Sequence, residues 1–324
     1  MAKAIRIHQT GGPEAMKWEE VAVGRPGAGE VRVRNTAVGL NYIDVYHRAG
    51  VYPLTGFPLV LGREGAGVVE ETGEGVTAVK AGDRVGYVDP IGSYAEVRFM
   101  PANRLVKLPD GISEKTAAAV MLKGITAQYL IRSTYRVQSG ETILVHAAAG
   151  GVGVLLCQWA RHLGAIVIGT VGSEAKAELA RANGCHHVIV YTKENFVERV
   201  KQITHGAGVP VVYDSVGKDT FEGSLDCLRP LGMLVSFGQA SGKIPPFDVG
   251  TLQAKGSLYL TRPTMVHYVA KDADLQQRAA EVFDVILKGA VKVKVKQEYA
   301  LKDAAQAHRD LEARKTTGST VLIP

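Results

Sequence analysis

Apolar positions keep one period over the opening stretch of this chain and another over its middle. Across residues 1–123, apolar and polar side chains alternate in short runs separated by glycine turns. Residues 31–34, 65–71, 84–88 and 93–100 read as strands. Many short strands with turn signals between them predict a β-rich, barrel-like domain. A helix opens after them at residues 113–120, with Ser113 as its N-cap. Thr116 stands three positions on, where a capping box would carry Glu.

From residue 124 to 262 strands alternate with helices. The strands are 142–146, 165–170, 187–190, 209–214, 233–237 and 257–260. The helices are 152–163, 174–183, 194–204, 218–228 and 249–255. Six strands with intervening helices predict a doubly wound parallel sheet, so the fold class is α/β. Beyond it come an amphipathic helix at 274–288, a basic alternating strand at 291–296, a helix at 302–313 and a strand at 319–323. The six-stranded sheet is complete by then, so residues 263–324 are expected to return to the first domain.

The turn at the head of the second region carries chemistry. Ala148, Gly150 and Gly153 stand at G-x-G-x-x-G spacing, with alanine in the first place. A buried strand precedes them, and Val152, Leu155, Leu156, Trp159 and Leu163 follow at helical spacing. A glycine turn feeding a helix N-terminus gathers free N–H groups at the positive end of the helix dipole, which suits a pyrophosphate. In NAD-binding forms of this unit an Asp or Glu about 20 residues on grips the ribose 2′-hydroxyl. Here the next strand ends in Thr170-Val171-Gly172-Ser173, with no carboxylate at its tip; Glu174 and Lys176 come after. A serine hydroxyl, a helix N-terminus and a lysine attract a 2′-phosphate, so NADPH is expected over NADH. The bland reading is that Ser173 is an N-cap and Lys176 a solvated helix residue.

Composition narrows the class. The 324 residues are 46% hydrophobic and 22% charged, ordinary values for a globular protein, and long enough for two domains. Lys and Arg number 38 against 32 Asp and Glu, a net charge of +6. No basic cluster interleaved with aromatics appears, so a dedicated nucleic-acid surface is not expected, though weak binding stays open. Cys157, Cys185 and Cys227 are far apart and odd in number, which argues against a disulfide framework and fits the cytoplasm. Residues 1–12 carry no apolar signal region, and the apolar stretch 147–157 is short and broken by glycine, so no membrane span is expected.

Several segments resemble a known family. Gly140-Glu141, Leu144, Ala148-Ala149-Gly150-Gly151, Gly153, Gln158 and Arg161 resemble the fingerprint of the zinc-independent quinone oxidoreductase and ζ-crystallin branch of the medium-chain dehydrogenase/reductase superfamily. Asn41-Tyr42-Ile43-Asp44, Gly62-Arg63-Glu64-Gly65-Ala66-Gly67, Ala81-Gly82-Asp83-Arg84-Val85 and Gly92-Ser93-Tyr94-Ala95-Glu96 are similar at family spacing. So are Tyr213-Asp214-Ser215-Val216-Gly217, Ser236-Phe237-Gly238 and Gly256-Ser257-Leu258. The likeness covers essentially the whole chain and is to the bacterial NADPH:quinone reductase type. It implies a GroES-like catalytic domain at 1–123, a Rossmann NADPH-binding domain at 124–262, a return to the catalytic domain at 263–324, and an active cleft between the domains. Zinc-bearing relatives place a cysteine where Asn41 stands and a histidine where Arg63 stands, and a four-cysteine lobe is absent here. An amide and a guanidinium do not supply the thiolate and imidazole zinc prefers, so no metal is expected.

The resemblance also implies roles residue by residue. Gly150, Gly151 and Val152 would cradle the pyrophosphate. Gly172, Ser173, Lys176 and Tyr191 would surround the 2′-phosphate. Phe237, Gly238, Leu260, Arg262 and Arg314 would border the nicotinamide. Asn41, Asp44, Tyr46, Tyr52, Lys123 and Thr126 would line the cleft, with Asn41, Asp44, Tyr46 and Tyr52 as catalytic candidates, Asn41 and Tyr46 also touching the cofactor, and the Lys123 ammonium bonding ribose or phosphate. Each has a plainer reading. Tyr46 and Tyr52 are half-buried aromatics, Asp44 is a cap, Tyr191 ends a strand, Gly238 is a turn glycine, and His146 is structural.

The implied reaction passes a hydride to an electron-poor acceptor, for which the protein positions groups and stabilises charge. No Ser-Tyr-Lys or Asp-His pair demands a general acid. That favours quinones, whose reduced product is a stabilised anion that water protonates. An NADPH-dependent enone reductase stays open as an alternative, as does a non-catalytic, RNA-binding or structural ζ-crystallin-like protein. The apolar strand 257–260 would form a sheet edge, which predicts a homodimer through that edge.

Overall fold

In the computed structural model, which describes residues 1–324, the alternating runs of the opening stretch form strands. They are β1 (Ala2–Ile7), β2 (Lys17–Val21), β3 (Glu30–Leu40), β4 (Leu59–Val60), β5 (Glu64–Thr72), β6 (Arg84–Val88), β7 (Val97–Pro101) and β8 (Leu105–Lys107). Helix α1 (Tyr42–Arg48) follows β3 directly, and α2 (Glu114–Tyr129) follows β8. As the spacing predicts, Ser113 caps α2: its Oγ accepts the Thr116 N–H at 3.1 Å and meets the Thr116 hydroxyl at 2.9 Å. The helix runs on past residue 120 and ends in a π-helical turn at Leu130–Thr134, because its small and apolar residues stay buried through Leu130 and Ile131.

The middle of the chain supplies β9 (Thr142–Val145), α3 (Gly151–His162), β10 (Ile166–Val171), α4 (Glu174–Ala182), β11 (His187–Val190) and α5 (Phe196–Ile203). It continues with β12 (Val209–Asp214), α6 (Phe221–Asp226), β13 (Leu228–Ser236), α7 (Gly250–Ala254), β14 (Tyr259–Thr261) and α8 (Met265–Tyr268). The strands pair in the order β11-β10-β9-β12-β13-β14, every neighbour parallel. This is the doubly wound, six-stranded Rossmann sheet that the pattern predicts. Its core packs Leu144, Ile168, Ile189, Val212 and Leu234 against Phe221, Leu225 and Leu258.

The chain ends with α9 (Asp272–Leu287), β15 (Val295–Ala300), α10 (Ala304–Glu312) and β16 (Ser319–Ile323). β16 lies antiparallel to β3, with Val321 opposite Gly39, inside a sheet ordered β15-β16-β3-β5-β6-β8, while β7 also pairs with β3. Ile5, Ile7, Val38, Leu40, Leu61, Tyr94, Leu301 and Leu322 form one core beneath it.

Tertiary contacts divide the chain into two units. Residues 1–123, 272–287 and 293–324 form the first; residues 124–271 and 288–292 form the second. The second unit thus runs past residue 262. Tyr268 stacks on Tyr129 with ring centroids 4.2 Å apart, and its hydroxyl meets Thr134 Oγ1 at 2.8 Å. β3 runs on to Leu40 and β13 starts at Leu228, well outside the expected 31–34 and 233–237, and three further limits differ for local reasons. Residues 291–294 are not strand, because the Lys292 backbone exchanges two hydrogen bonds with the Gln158 side chain. β14 starts at Tyr259, since Ser257 has φ of +56°, which a strand does not tolerate. β7 starts at Val97, since the Gly92 and Ser93 N–H groups both turn back to the Gly62 carbonyl. No helix is long and apolar enough to cross a membrane.

One glycine holds the β9–α3 turn together. A Cβ on Gly153 would lie 2.3 Å from the Ala147 carbonyl oxygen and 2.9 Å from the Ala148 Cα. Both are backbone atoms that cannot rotate away. Gly153→Ala is therefore expected to lower stability by about 1–3 kcal/mol. Urea unfolding checks this, and an unchanged midpoint would contradict the close packing.

Candidate functional site

The first unit buries a carboxylate at its centre. Glu64 opens β5, is fully buried, and is surrounded by donors. Its Oε1 accepts the Asn41 Nδ2 at 2.8 Å and the Lys123 ammonium at 2.5 Å, while Oε2 accepts the Leu122 N–H at 2.6 Å. A buried charge needs this degree of compensation. Gly39 on β3 makes the room: a Cβ there would stand 2.2 Å from Glu64 Oε1. Lys123 is thus buried, with one ammonium proton committed to Glu64.

Asn41 is the N-cap of α1, and Asp44 the third residue of that helix. Asp44 Oδ2 accepts the Asn41 N–H at 2.9 Å and the Tyr94 hydroxyl at 2.9 Å. Burial pushes the Asp44 pKa up to about 7, against the bonds from Tyr94 and Asn41 that pull it down. Its Oδ1 is buried without a partner. The network continues through His308 on α10. The Arg48 Nη1 donates to His308 Nδ1 at 3.1 Å, so the ring proton sits on Nε2, which faces the Tyr94 oxygen at 3.2 Å. Burial and the Arg48 charge push His308 down to about 3, so it is neutral. Arg48 then meets Glu312 with two bonds of 3.0 and 2.9 Å. Asp44 was expected to line a cleft. It is fully buried, with Oδ2 held by the Asn41 N–H and the Tyr94 hydroxyl.

Helix α1 carries an aromatic cluster. The Tyr42 and Tyr46 rings are 5.4 Å apart, and Tyr46 meets Tyr52 edge-on at 5.1 Å. His47 lies 6.0 Å from Tyr52. Arg314, with φ of +58°, follows α10, and its charge is felt at Tyr42.

The second unit holds the other predicted residues. Ala147 has φ of +52°, and Gly150 caps α3 without any side-chain bond. The first-turn N–H groups, beginning at Gly151 and Val152, are left for another acceptor. Helix α4 differs: Ser173 Oγ accepts the Lys176 N–H at 3.4 Å, so Ser173 is a cap as the plainer reading has it, with its own proton still available to donate. A Cβ on Gly172 would stand 2.7 Å from the Tyr191 hydroxyl, which puts Tyr191 against the β10 tip. Glu174, which opens α4, is paired with Lys193 at 2.8 Å. Thr126 is buried on α2.

At the far end of the sheet, Arg262 Nη1 donates to the Ser236 carbonyl at 3.2 Å, to Ser236 Oγ at 3.1 Å and to the Gly238 carbonyl at 2.7 Å. These bonds join β14 to the segment holding Phe237 and Gly238. A Cβ on Gly238 would clash with the Ser215 backbone at 2.5 Å, so close approach, not a turn, requires glycine. Leu260, Arg262, Ser236 and Phe221 line a cavity of about 610 Å³ with Lys243 and Phe247. His146 is structural, bonded to Thr170 at 2.8 Å and Ser224 at 3.0 Å.

Glu64, Tyr94, His308, Arg48 and Lys193 were not identified as site residues from sequence. Glu64 and Tyr94 stand inside motifs quoted above, but nothing local says that a glutamate on a strand is buried. His308, Arg48 and Lys193 lie on distant segments and carry no spacing signal.

Comparison with known proteins places these observations. Residues 27–110 match the alcohol dehydrogenase GroES-like domain, and residues 151–284 match the zinc-binding dehydrogenase family. A quinone oxidoreductase of Pseudomonas aeruginosa is 53% identical, covering 100% of both chains. A 2-haloacrylate reductase of a Burkholderia species is 48% identical over 100% of this chain and 99% of that one. The crystal structure of Escherichia coli quinone oxidoreductase complexed with NADPH superposes with a TM-score of 0.98 at 48% identity, covering 100% of both chains. The zinc in one family description does not fit the donors here. The Asn41 amide is bonded to Glu64, the Arg63 guanidinium is paired with Asp89, and all three cysteines lie in the second unit.

The Asp44 shift makes a testable statement about pH. Its folded pKa of about 7 lies above its ordinary value of 3.8. The stability it contributes is therefore present below the lower value and lost as pH rises through the upper one. In urea unfolding at about pH 5 and about pH 8, Asp44→Asn should lose less stability across the interval than the parent. Equal losses would show that Asp44 titrates normally.

Proposed function

The chain belongs to the quinone oxidoreductase family of the medium-chain dehydrogenase/reductase superfamily, and from that premise we propose that it is an NADPH-dependent quinone reductase working without zinc. The observation that carries the cofactor reading is the pair of helix starts at the head of the Rossmann sheet. The α3 start leaves its N–H groups uncapped, with Gly150, Gly151 and Val152 in position to cradle a pyrophosphate. The α4 start has no unneutralised carboxylate, since Lys193 holds Glu174. Ser173, Lys176, Gly172 and Tyr191 then suit a 2′-phosphate. Phe237, Gly238, Leu260, Arg262 and Thr126, all of the second unit, are assigned to the rest of the cofactor.

When bound, NADPH supplies a hydride from its nicotinamide ring. The chain supplies binding and orientation. Arg262 ties β14 to Ser236 and to the Gly238 carbonyl, which positions that segment before any ligand arrives. Tyr46 and Tyr52 offer hydroxyls to an acceptor oxygen and aromatic faces to its ring. Asn41 and Asp44 set the start of the helix on which Tyr46 rides. Tyr94 is no acid for the substrate: burial and the Asp44 charge push its pKa well above the usual value. A quinone suits a site of this kind, since its reduced anion takes a proton from water.

We assign the protein to the cytoplasm and to a homodimer. All three cysteines are free and buried. β14 is an edge strand, with Tyr259 58% exposed, and an exposed edge of this kind favours pairing with a second copy.

With benzoquinone as acceptor, the protein should oxidise NADPH much faster than NADH, and a chelator should not slow it. Activity confined to enones would move the reading to alkene reduction, and NADPH binding without turnover of either acceptor would end the enzymatic one. Lys176→Ala should shrink the preference for NADPH over NADH roughly tenfold in kcat/KM. A preference left intact would remove Lys176 from the 2′-phosphate site. Sedimentation as a monomer would rule out the dimer.

A further inference from the structure

The cavity of about 610 Å³ lies wholly within the second unit, at the carboxyl ends of β13 and β14. Open parallel sheets bind their ligands at this end. Ser236, which closes β13, and Arg262, which follows β14, supply part of the lining, together with Leu260 and with Phe221 from α6. The segment from Lys243 to Phe247 supplies the rest. Six of the nine lining residues are apolar and none is acidic, so the cavity suits a hydrocarbon group better than a cation.

The 243–247 wall is held by packing and not by hydrogen bonds, since none of the chain's backbone bonds reaches these residues. Firm anchors stand on either side. The Ser241 N–H and hydroxyl both donate to the Val216 carbonyl at 2.8 Å, and the Asp248 carbonyl accepts the Thr251 N–H at 3.0 Å. Between them Ile244 packs on the core that holds Phe221 and Leu258, and the Phe247 ring meets Phe221 with centroids 4.9 Å apart. Phe247 nevertheless stays 38% exposed. An apolar ligand in the cavity would take that surface out of water.

Arg262 connects this cavity to the cofactor region: it lines the cavity and donates to the Gly238 carbonyl at 2.7 Å. The volume falls in the range of roughly 300–1,000 Å³ that encloses drug-sized ligands, and it offers more room than a single quinone ring needs. We propose that the cavity is a tail subsite that takes the hydrocarbon chain of the acceptor, so that the substrate class is a quinone bearing an alkyl or isoprenyl substituent. This rests on the reading of the protein as a quinone reductase with Leu260 and Arg262 at the nicotinamide end of the cofactor. The chain is bound for its apolar surface and takes no part in the redox step. Selectivity among quinones thus resides in binding, outside the reacting ring.

The test compares kcat/KM with NADPH for methyl-1,4-benzoquinone and for the same ring carrying a pentyl chain. A buried methylene is worth about 4-fold in affinity, so the parent should favour the chain by about 10- to 100-fold, chiefly through KM. Phe247→Asp sets a charge in the wall and should lower the chain-to-methyl ratio by about 10-fold. Phe247→Leu keeps the wall apolar and should retain most of the ratio. Pro246→Asp, at an exposed position of the same wall, should act as Phe247→Asp does and replaces it if that variant fails to fold. A parent that reduces methylbenzoquinone without preferring the chain overturns the subsite and leaves quinone reduction standing, as does a parent-like ratio in the Asp variants. A parent-like ratio with altered sedimentation shows the cavity covered by a second copy, which also overturns it. A parent that turns over neither quinone overturns the functional reading itself, and the subsite with it.

Discussion

A carboxylate removed from water must be surrounded by donors, and meeting that demand at Glu64 organises the first unit. Three donors from two other segments converge on it: the Asn41 amide, the Lys123 ammonium and the Leu122 N–H. β5, the start of α1 and the middle of α2 are thereby tied at one point. Gly39 is glycine because a side chain there would displace the carboxylate. From Asn41 the order passes to Asp44, Tyr94, His308, Arg48 and Glu312, so a single polar chain runs from the interior to α10. Breaking any buried member leaves its neighbours unpaired, which costs more than the lost bond itself.

The second unit depends on close backbone approach in place of buried charge. Gly153 lets α3 pack against the Ala147 carbonyl, and Gly238 lets its segment pass the Ser215 backbone. Asp214 at the tip of β12 is buried, but as a turn anchor. It accepts the Val216 N–H at 2.7 Å, the Gly217 N–H at 3.1 Å and the Thr220 hydroxyl at 2.7 Å. The two units therefore suit different tasks. One leaves the backbone N–H groups at the α3 start without a side-chain cap, an arrangement that suits an anion. The other holds an aromatic cluster on a helix whose start is fixed by buried polar contacts.

The positions that the family resemblance matches to metal ligands are engaged with protein partners here. The Asn41 amide bonds Glu64, and Arg63 pairs with Asp89.

The sequence by itself determined the alternation of strands and helices, the Rossmann sheet, the glycine turn at 148–153, the Ser113 cap and the missing acidic residue after β10. These are local signals: a period, a spacing, or a residue type that one turn demands. It did not mark β1 and β2, which earn their place by pairing, or the true starts of β14 and β15, which Ser257 and Gln158 set. The tertiary structure alone decided that Asp44 is enclosed, that Lys123 serves Glu64, that Lys193 neutralises Glu174, and that His308 meets Tyr94 across 214 positions. The reason is physical: burial and partnership of a charge are properties of the space around it, and segments far along the chain supply that space.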